Sequence, residues 1–190
     1  QITEKGVVVD GVEYALDCLI FATGFEVGTS YARRAGYEVI GAGGVTLTDK
    51  WEGGVSTLHG MHSRGFPNCF IMSNSQSGFT VNYPHMLNEQ AKHVGYILAT
   101  CSERGIGRVE AAQDAEDAWV KTIIDSALQR AKFAEECTPG YYNNEGQPSA
   151  LAARNGSYGE GPIAFVKLLD AADGRIDAFA GRPRDRVQRA

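Results

Sequence analysis

His59 and His62 stand three residues apart, a spacing that sets two imidazoles on one face of a helical turn and raises the question of a metal. No cysteine or carboxylate is placed near them in sequence, so both are read as surface or turn histidines. His85 follows Pro84, where a helix should begin, and is read as a first-turn capping or surface residue. His93 is read as structural. Ser75, Ser77 and Ser102 are the hydroxyls a nucleophile search would pick, but no Gly-x-Ser-x-Gly elbow surrounds any of them, which argues against a hydrolase. Cys18, Cys69, Cys101 and Cys137 are widely and irregularly spaced and read as buried thiols of a reducing cytoplasm rather than a disulfide or zinc framework.

Two apolar runs that end in small residues offer more. Leu16 to Phe21 reads as a buried parallel-sheet strand, and it breaks into Ala22-Thr23-Gly24-Phe25. Ligands of open α/β sheets sit beyond the carboxyl ends of such strands, and a glycine there admits close backbone approach. Cys69 to Met72 is a second short strand, opening into Ser73-Asn74-Ser75-Gln76-Ser77-Gly78 and then Phe79-Thr80-Val81-Asn82. A helix starting at Asn82 would aim unpaired N–H groups and a partial positive charge at anything held over that loop. The same residues would also serve an ordinary strand-to-helix connection. Gly41-Ala42-Gly43-Gly44 lacks the Gly-x-Gly-x-x-Gly spacing of a phosphate cradle. Trp51, Tyr141, Tyr142 and Tyr158 could line a pocket, whereas Trp119 reads as core.

The elements that must position these groups follow from local pattern. Asp10-Gly11 between Val7-Val8-Val9 and Val12-Glu13-Tyr14-Ala15 predicts a hairpin, because both turn residues tolerate positive φ. Asn82 as N-cap and Pro84 in the first turn predict a helix ending at Gly105, with Leu87, Ala91, Val94, Leu98 and Cys101 on its apolar face. A second helix from near Asp114 carries Trp119, Ile123, Ala127 and Ala131 inward, with an Asp117–Lys121 pair outside. Residues 137–160 form a long Gly-, Asn- and Tyr-rich loop. A third helix runs from Pro162 to Leu169, and the arginine-rich stretch from Gly181 to Ala190 reads as a solvated tail.

The 190 residues suffice for one domain or somewhat more, and a net charge of −5 without a basic stripe argues against a nucleic-acid partner. No apolar run approaches the ~20 residues of a membrane span. The chain starts without Met and inside a strand-like pattern, as a piece of a longer protein would.

The order of the pieces is more specific than any one of them. Asp17–Phe25 (DCLIFATGF), Gly43-Gly44 with Trp51-Glu52-Gly53, Leu58-His59-Gly60-Met61, Gly65–Phe70 (GFPNCF), Asn88-Glu89-Gln90 and the late run Cys137–Gly146 resemble the C-terminal third of Baeyer–Villiger (class B flavin-containing) monooxygenases, over about Val7 to Phe179. The resemblance implies an α/β fold: the C-terminal portion of a flavoprotein with two Rossmann-like FAD/NAD(P)-binding domains, ending in C-terminal helices. Residues 1–30 would be the hairpin, strand and inter-domain link. Residues 31–136 would be the returning part of the FAD-binding domain, 137–180 a loop and helix near the substrate pocket, and 181–190 a disordered tail.

By the same resemblance Ala22, Thr23, Gly24 and Phe25 match the motif beside the cofactors, while Gln76, Ser77, Gly78, Thr80, Val81 and Asn82 match the loop facing the flavin. FAD and NADPH are the implied cofactors, a ketone and O2 the implied substrates, and an ester or lactone formed through a C4a-peroxyflavin the implied outcome. Catalytic residues are expected upstream of residue 1, in the missing N-terminal half. Departures exist: the family's Gly-Pro is replaced around Asn74-Ser75-Gln76. An N- or S-oxygenating flavin monooxygenase and a non-catalytic interaction module remain as alternatives, and a homo-oligomer stays open.

Overall fold

The computed structural model describes residues 1–22, 31–136, 138, 151–172 and 179–183. The predicted hairpin is present. Strands β1 (Gly6–Val9) and β2 (Val12–Ala15) pair antiparallel, with Val9 opposite Val12. Asp10 (φ 48°) and Gly11 (φ 80°) take the left-handed conformation that a two-residue turn of this twist requires.

The run that follows departs from expectation. Leu16 to Ala22 is in no strand and is exposed, with Ile20 at 81% and Phe21 at 70% of full exposure. Cys18, expected buried, is exposed with it. A parallel strand needs a neighbouring strand to bond with; Leu16 N–H donates to the Lys5 carbonyl at 3.0 Å, extending the hairpin, and residues 17–22 join no strand among the described residues. The continuation Thr23, Gly24 and Phe25 lies outside the described residues.

Beyond the short helix α1 (Tyr31–Ala35) and a 3-10 turn at Ala42–Gly44, Thr46 caps α2 (Leu47–Lys50) by accepting from the Asp49 N–H at 3.0 Å. Cys69 to Met72 forms no regular strand; Cys69, Phe70 and Ile71 are half-buried and Met72 is exposed, and Ile71 N–H donates to the Met61 carbonyl at 2.8 Å.

The long helix α3 (Tyr83–Glu103) begins as predicted. The Asn82 side chain accepts from the His85 N–H, Pro84 lies in the first turn, and Gly105 (φ 65°) follows the end. Its buried face is different. Met86, Gln90, His93, Ile97 and Cys101 point inward, while Ala91 is exposed and Leu98 is 51% exposed. Four polar residues, Glu89, Gln90, His93 and Thr100, are also buried on α3, so counting apolar residues alone selects the neighbouring stripe. Strand β3 (Ile106–Ala111), which the sequence reading did not separate, buries Val109 and Ala111 in alternation. It pairs antiparallel with β4 (Phe179–Pro183). Gly181 to Pro183 therefore belong to a strand, not to the expected tail, because an edge strand gains its missing ladder partner from them. The rest of the expected tail, 184–190, lies outside the described residues.

Helix α4 (Gln113–Glu136) buries Trp119 and Ile123 as expected. Lys121 pairs with Asp125 instead of Asp117, whose carboxylate accepts from the Gln113 side chain at 3.0 Å. After the short helix α5 (Ala152–Asn155), α6 (Pro162–Ala172) closes the main core with Phe165 and Leu169. Met61, Met86, Trp119, Ile123, Tyr158 and Phe165 meet there, contributed by the central loops and by α3, α4 and α6. A smaller cluster joins Ile97, Cys101 and Val109, with Phe70 and Ile106 against it. Fully burying one such side chain contributes about 1.5–3 kcal/mol.

Candidate functional site

The loop from Ser73 to Asn82 leads into the N-terminus of α3, and its two halves behave differently. The first half is anchored. Gln76 is fully buried at a left-handed φ of 54°. Its Oε1 accepts from the Thr57 N–H at 3.0 Å and the Thr57 hydroxyl at 2.6 Å. Its Nε2 donates to the carbonyls of Val55 at 2.7 Å and Arg154 at 2.9 Å. Its own N–H donates to the Gly156 carbonyl at 2.7 Å, and its carbonyl accepts from the Trp119 indole at 2.9 Å. Ser77 is also buried; its hydroxyl donates to the Ser73 carbonyl at 2.6 Å and its carbonyl accepts from the Tyr158 N–H at 2.9 Å. At Gly78 a Cβ would stand 2.7 Å from Phe165 and 2.9 Å from Met86.

Gln76, Ser77 and Gly78 thus face the core, and the side chains of Gln76 and Ser77 bond to protein. The second half turns outward. Phe79 is 37% exposed, Val81 is wholly exposed and Asn82 is exposed at the helix cap, with Thr80 half-buried between them. Of the candidate residues, the structure joins 76–82 in one loop. Ala22 is described and exposed, while Thr23, Gly24 and Phe25 lie outside the described residues.

The turn Leu58–His62 packs against the anchored half. Leu58 N–H donates to the His62 carbonyl at 2.7 Å. His59 (φ 54°) and Gly60 (φ 73°) are left-handed. A Cβ on Gly60 would lie 2.7 Å from the Ser75 carbonyl oxygen and from Ser77 Cβ, so only glycine permits this approach. The histidines of the turn are not at the surface. His59 and His62 are 8% and 4% exposed, and each ring stands 5.8 Å from that of His93. His59 also meets Trp119 edge-on at 5.0 Å and His62 meets Phe70 at 5.4 Å. Burial, and secondarily the nearby His93, lowers both to about 3. At neutral pH both are uncharged parts of the packing. Among the described residues no group of three or more His, Cys, Asp or Glu is placed to hold a metal.

A carboxylate supports the same region from behind. Glu116, in the first turn of α4, is fully buried and accepts from Lys50 Nζ and from the Arg64 N–H, both at 2.8 Å. Arg154 donates from Nε to the Val55 carbonyl at 3.0 Å and from Nη2 to the Ser56 hydroxyl at 2.6 Å. Sequence reasoning missed Glu116 and Arg154. The first reads as an ordinary first-turn acid and the second lies within a stretch read as loop. Tyr158 packs on Trp119 at 5.2 Å and is core rather than pocket lining. Trp51 donates its indole N–H to the Ser56 carbonyl at 3.1 Å. Tyr141 and Tyr142 lie outside the described residues.

No family model matches the chain. It is 48% identical over 171 residues to the neopentalenolactone D synthase of Streptomyces avermitilis, covering 89% of this chain and 29% of that protein. It is 45% identical over 172 residues to a Baeyer–Villiger monooxygenase of Streptomyces coelicolor, with 89% and 28% covered. An FAD-binding monooxygenase of Hypomyces subiculosus is 40% identical over 171 residues, with 90% and 28% covered.

Among solved structures, the polycyclic ketone monooxygenase of Thermothelomyces thermophila superposes with a TM-score of 0.85 at 35% identity, over 97% of this chain and 31% of that one. Cyclohexanone monooxygenase of Rhodococcus sp. Phi1 bound to NADP+ superposes with a TM-score of 0.77 at 27% identity, over 97% and 34%. The chain therefore spans about 29% of the length of the first relative it matches. Among the described residues no helix is long and apolar enough to cross a membrane.

Proposed function

We propose, from the premise that this chain is a segment of a Baeyer–Villiger monooxygenase-type protein, that it builds one wall of a flavin site in a FAD- and NADPH-dependent monooxygenase. The reaction would place one atom of O2 between a ketone carbonyl and its neighbouring carbon, giving an ester or lactone, with the other atom leaving as water. FAD reduced by NADPH supplies the oxygen-transfer chemistry when bound; the protein orients and encloses it.

The observation that carries this reading is the division of the loop 73–82. Its inner half is locked into the core, and its outer half presents Phe79, Thr80 and Val81 just ahead of the N-terminus of α3. That edge suits a flat, largely apolar ring, and the positive end of a helix dipole favours electron-rich groups beside it. Thr80, Val81 and Asn82 would contact the ring from this chain. Gln76, Ser77 and Gly78 would act from beneath, and Ala22, Thr23, Gly24 and Phe25 would border the cofactors at the inter-domain link. The phosphates need another anchor, since no Gly-x-Gly-x-x-Gly turn occurs in the sequence. This chain alone should bind FAD weakly or not at all.

In the longer protein the upstream segment would cover the exposed Leu19, Ile20 and Phe21 and supply the catalytic residues. A cytoplasmic, NADPH-rich setting fits the chemistry. The test is the full-length protein with FAD, NADPH and 18O2, offered cyclic and polycyclic ketones and, separately, tertiary amines. An ester or lactone carrying one 18O is expected. N-oxide as the sole product would replace this reading with an amine oxygenase, and absence of bound flavin would remove it.

A further inference from the structure

We infer that Gln76 is a positioning residue that fixes the outer loop edge Phe79–Asn82 for the flavin, an inference resting on the function proposed above. A non-glycine residue at φ 54° costs free energy and persists only where its surroundings over-determine it. Here they do. The side-chain amide spans two segments that are remote in sequence, accepting from Thr57 and donating to Val55 and Arg154. Its main chain is held by Gly156 and by the Trp119 indole. Thr57 extends the chain of bonds, its hydroxyl accepting from the Gly60 N–H at 3.1 Å.

Segment 55–57, helix α4 and the stretch 154–156 are thereby tied to one residue, Gln76, and the turn at Gly60 is tied to it through Thr57. Gly78 follows two residues on, wedged against Phe165 and Met86, and the exposed edge begins directly after it. No freely rotating segment separates the clasp from that edge. A loosened Gln76 would therefore be read at Thr80 and Val81 rather than absorbed between. The clasp also links the loop to the stretch after residue 150, so movement of one would be felt by the other.

The test uses the full-length flavoprotein. Gln76→Leu deletes every bond of the Gln76 side chain; Trp119→Phe removes only the indole N–H donated to the Gln76 carbonyl and keeps the aromatic packing. Ile97→Ala, in the separate cluster with Cys101 and Val109, is the control matched for lost thermal stability. Gln76→Leu is expected to weaken FAD about tenfold, a displacement cost of about 1.4 kcal/mol, and to shift the flavin absorption maximum. Trp119→Phe should move both readouts the same way by less, while Ile97→Ala leaves them in place.

If Gln76→Leu lowers the melting temperature but its flavin readouts match those of Ile97→Ala, Gln76 is merely structural and the inference falls. If Gln76→Leu does not fold, Trp119→Phe decides by the same two readouts. A wild-type protein that takes up no FAD overturns the proposed function, and this inference with it, and is told apart from the other failure by the wild-type spectrum alone.

Discussion

Acidification should unfold this protein through its two buried turn histidines. His59 and His62 sit at about 3 in the folded state against about 6.5 when unfolded. Between those values the unfolded chain takes up protons that the folded chain refuses, so stability rises with pH across the window and is complete only above about 6.5. At about 1.4 kcal/mol per pH unit, each histidine withdraws about 2 kcal/mol between pH 7 and pH 5, and the two together about 4. That is a large part of the 5–15 kcal/mol typical of a domain. The assay is urea unfolding at pH 7, 6 and 5, followed by tryptophan emission, because His59 lies 5.0 Å from Trp119 and the burial of that ring is lost on unfolding. His62→Asn should remove about half of the pH dependence, and the double variant with His59→Asn most of it. Equal unfolding free energies at pH 7 and pH 5, or an undiminished slope in the double variant, would refute the burial argument.

Gly60→Ala should cost about 1–3 kcal/mol, since it combines an unfavourable positive φ with a methyl 2.7 Å from the Ser75 carbonyl, and a lowered thermal midpoint would report it. Glu116→Gln should cost about 2 kcal/mol by uncoupling Lys50, with a loss that high salt does not reproduce in the wild type, because the carboxylate is buried. Asn82→Ala should remove about 1 kcal/mol through the lost cap of α3; guanidinium titration would show it, and an unchanged midpoint would mean the cap contributes nothing.

Local chemistry made much of the frame legible. Asp10-Gly11 announced the hairpin, and Asn82, Pro84 and Gly105 bounded α3, because caps and turns are decided by neighbours in sequence. What failed depended on distant partners. Leu16 to Phe21 has the composition of a buried strand, yet burial needs flanking strands that the described residues do not provide. The buried face of α3 departs from its apolar stripe because Glu89, Gln90, His93 and Thr100 are buried as polar groups. Gln90 can be so because its side chain donates to the Ser73 carbonyl at 2.8 Å, a contact no periodicity predicts. The residues of loop 73–82 divide into anchors and edge according to contacts with Trp119, Arg154 and Phe165, each remote in sequence.

The pairing of β3 with β4 has a consequence for synthesis. A ribosome releases Ile106–Ala111 long before Phe179–Pro183 exists, so the whole of 112–178 must emerge while β3 waits with one row of amides and carbonyls unclaimed. During that interval any other extended chain could occupy the vacant side. The nascent protein is therefore most exposed to mispairing in the last third of its translation through this region, and truncation before residue 179 should yield aggregates rather than a shortened native fold.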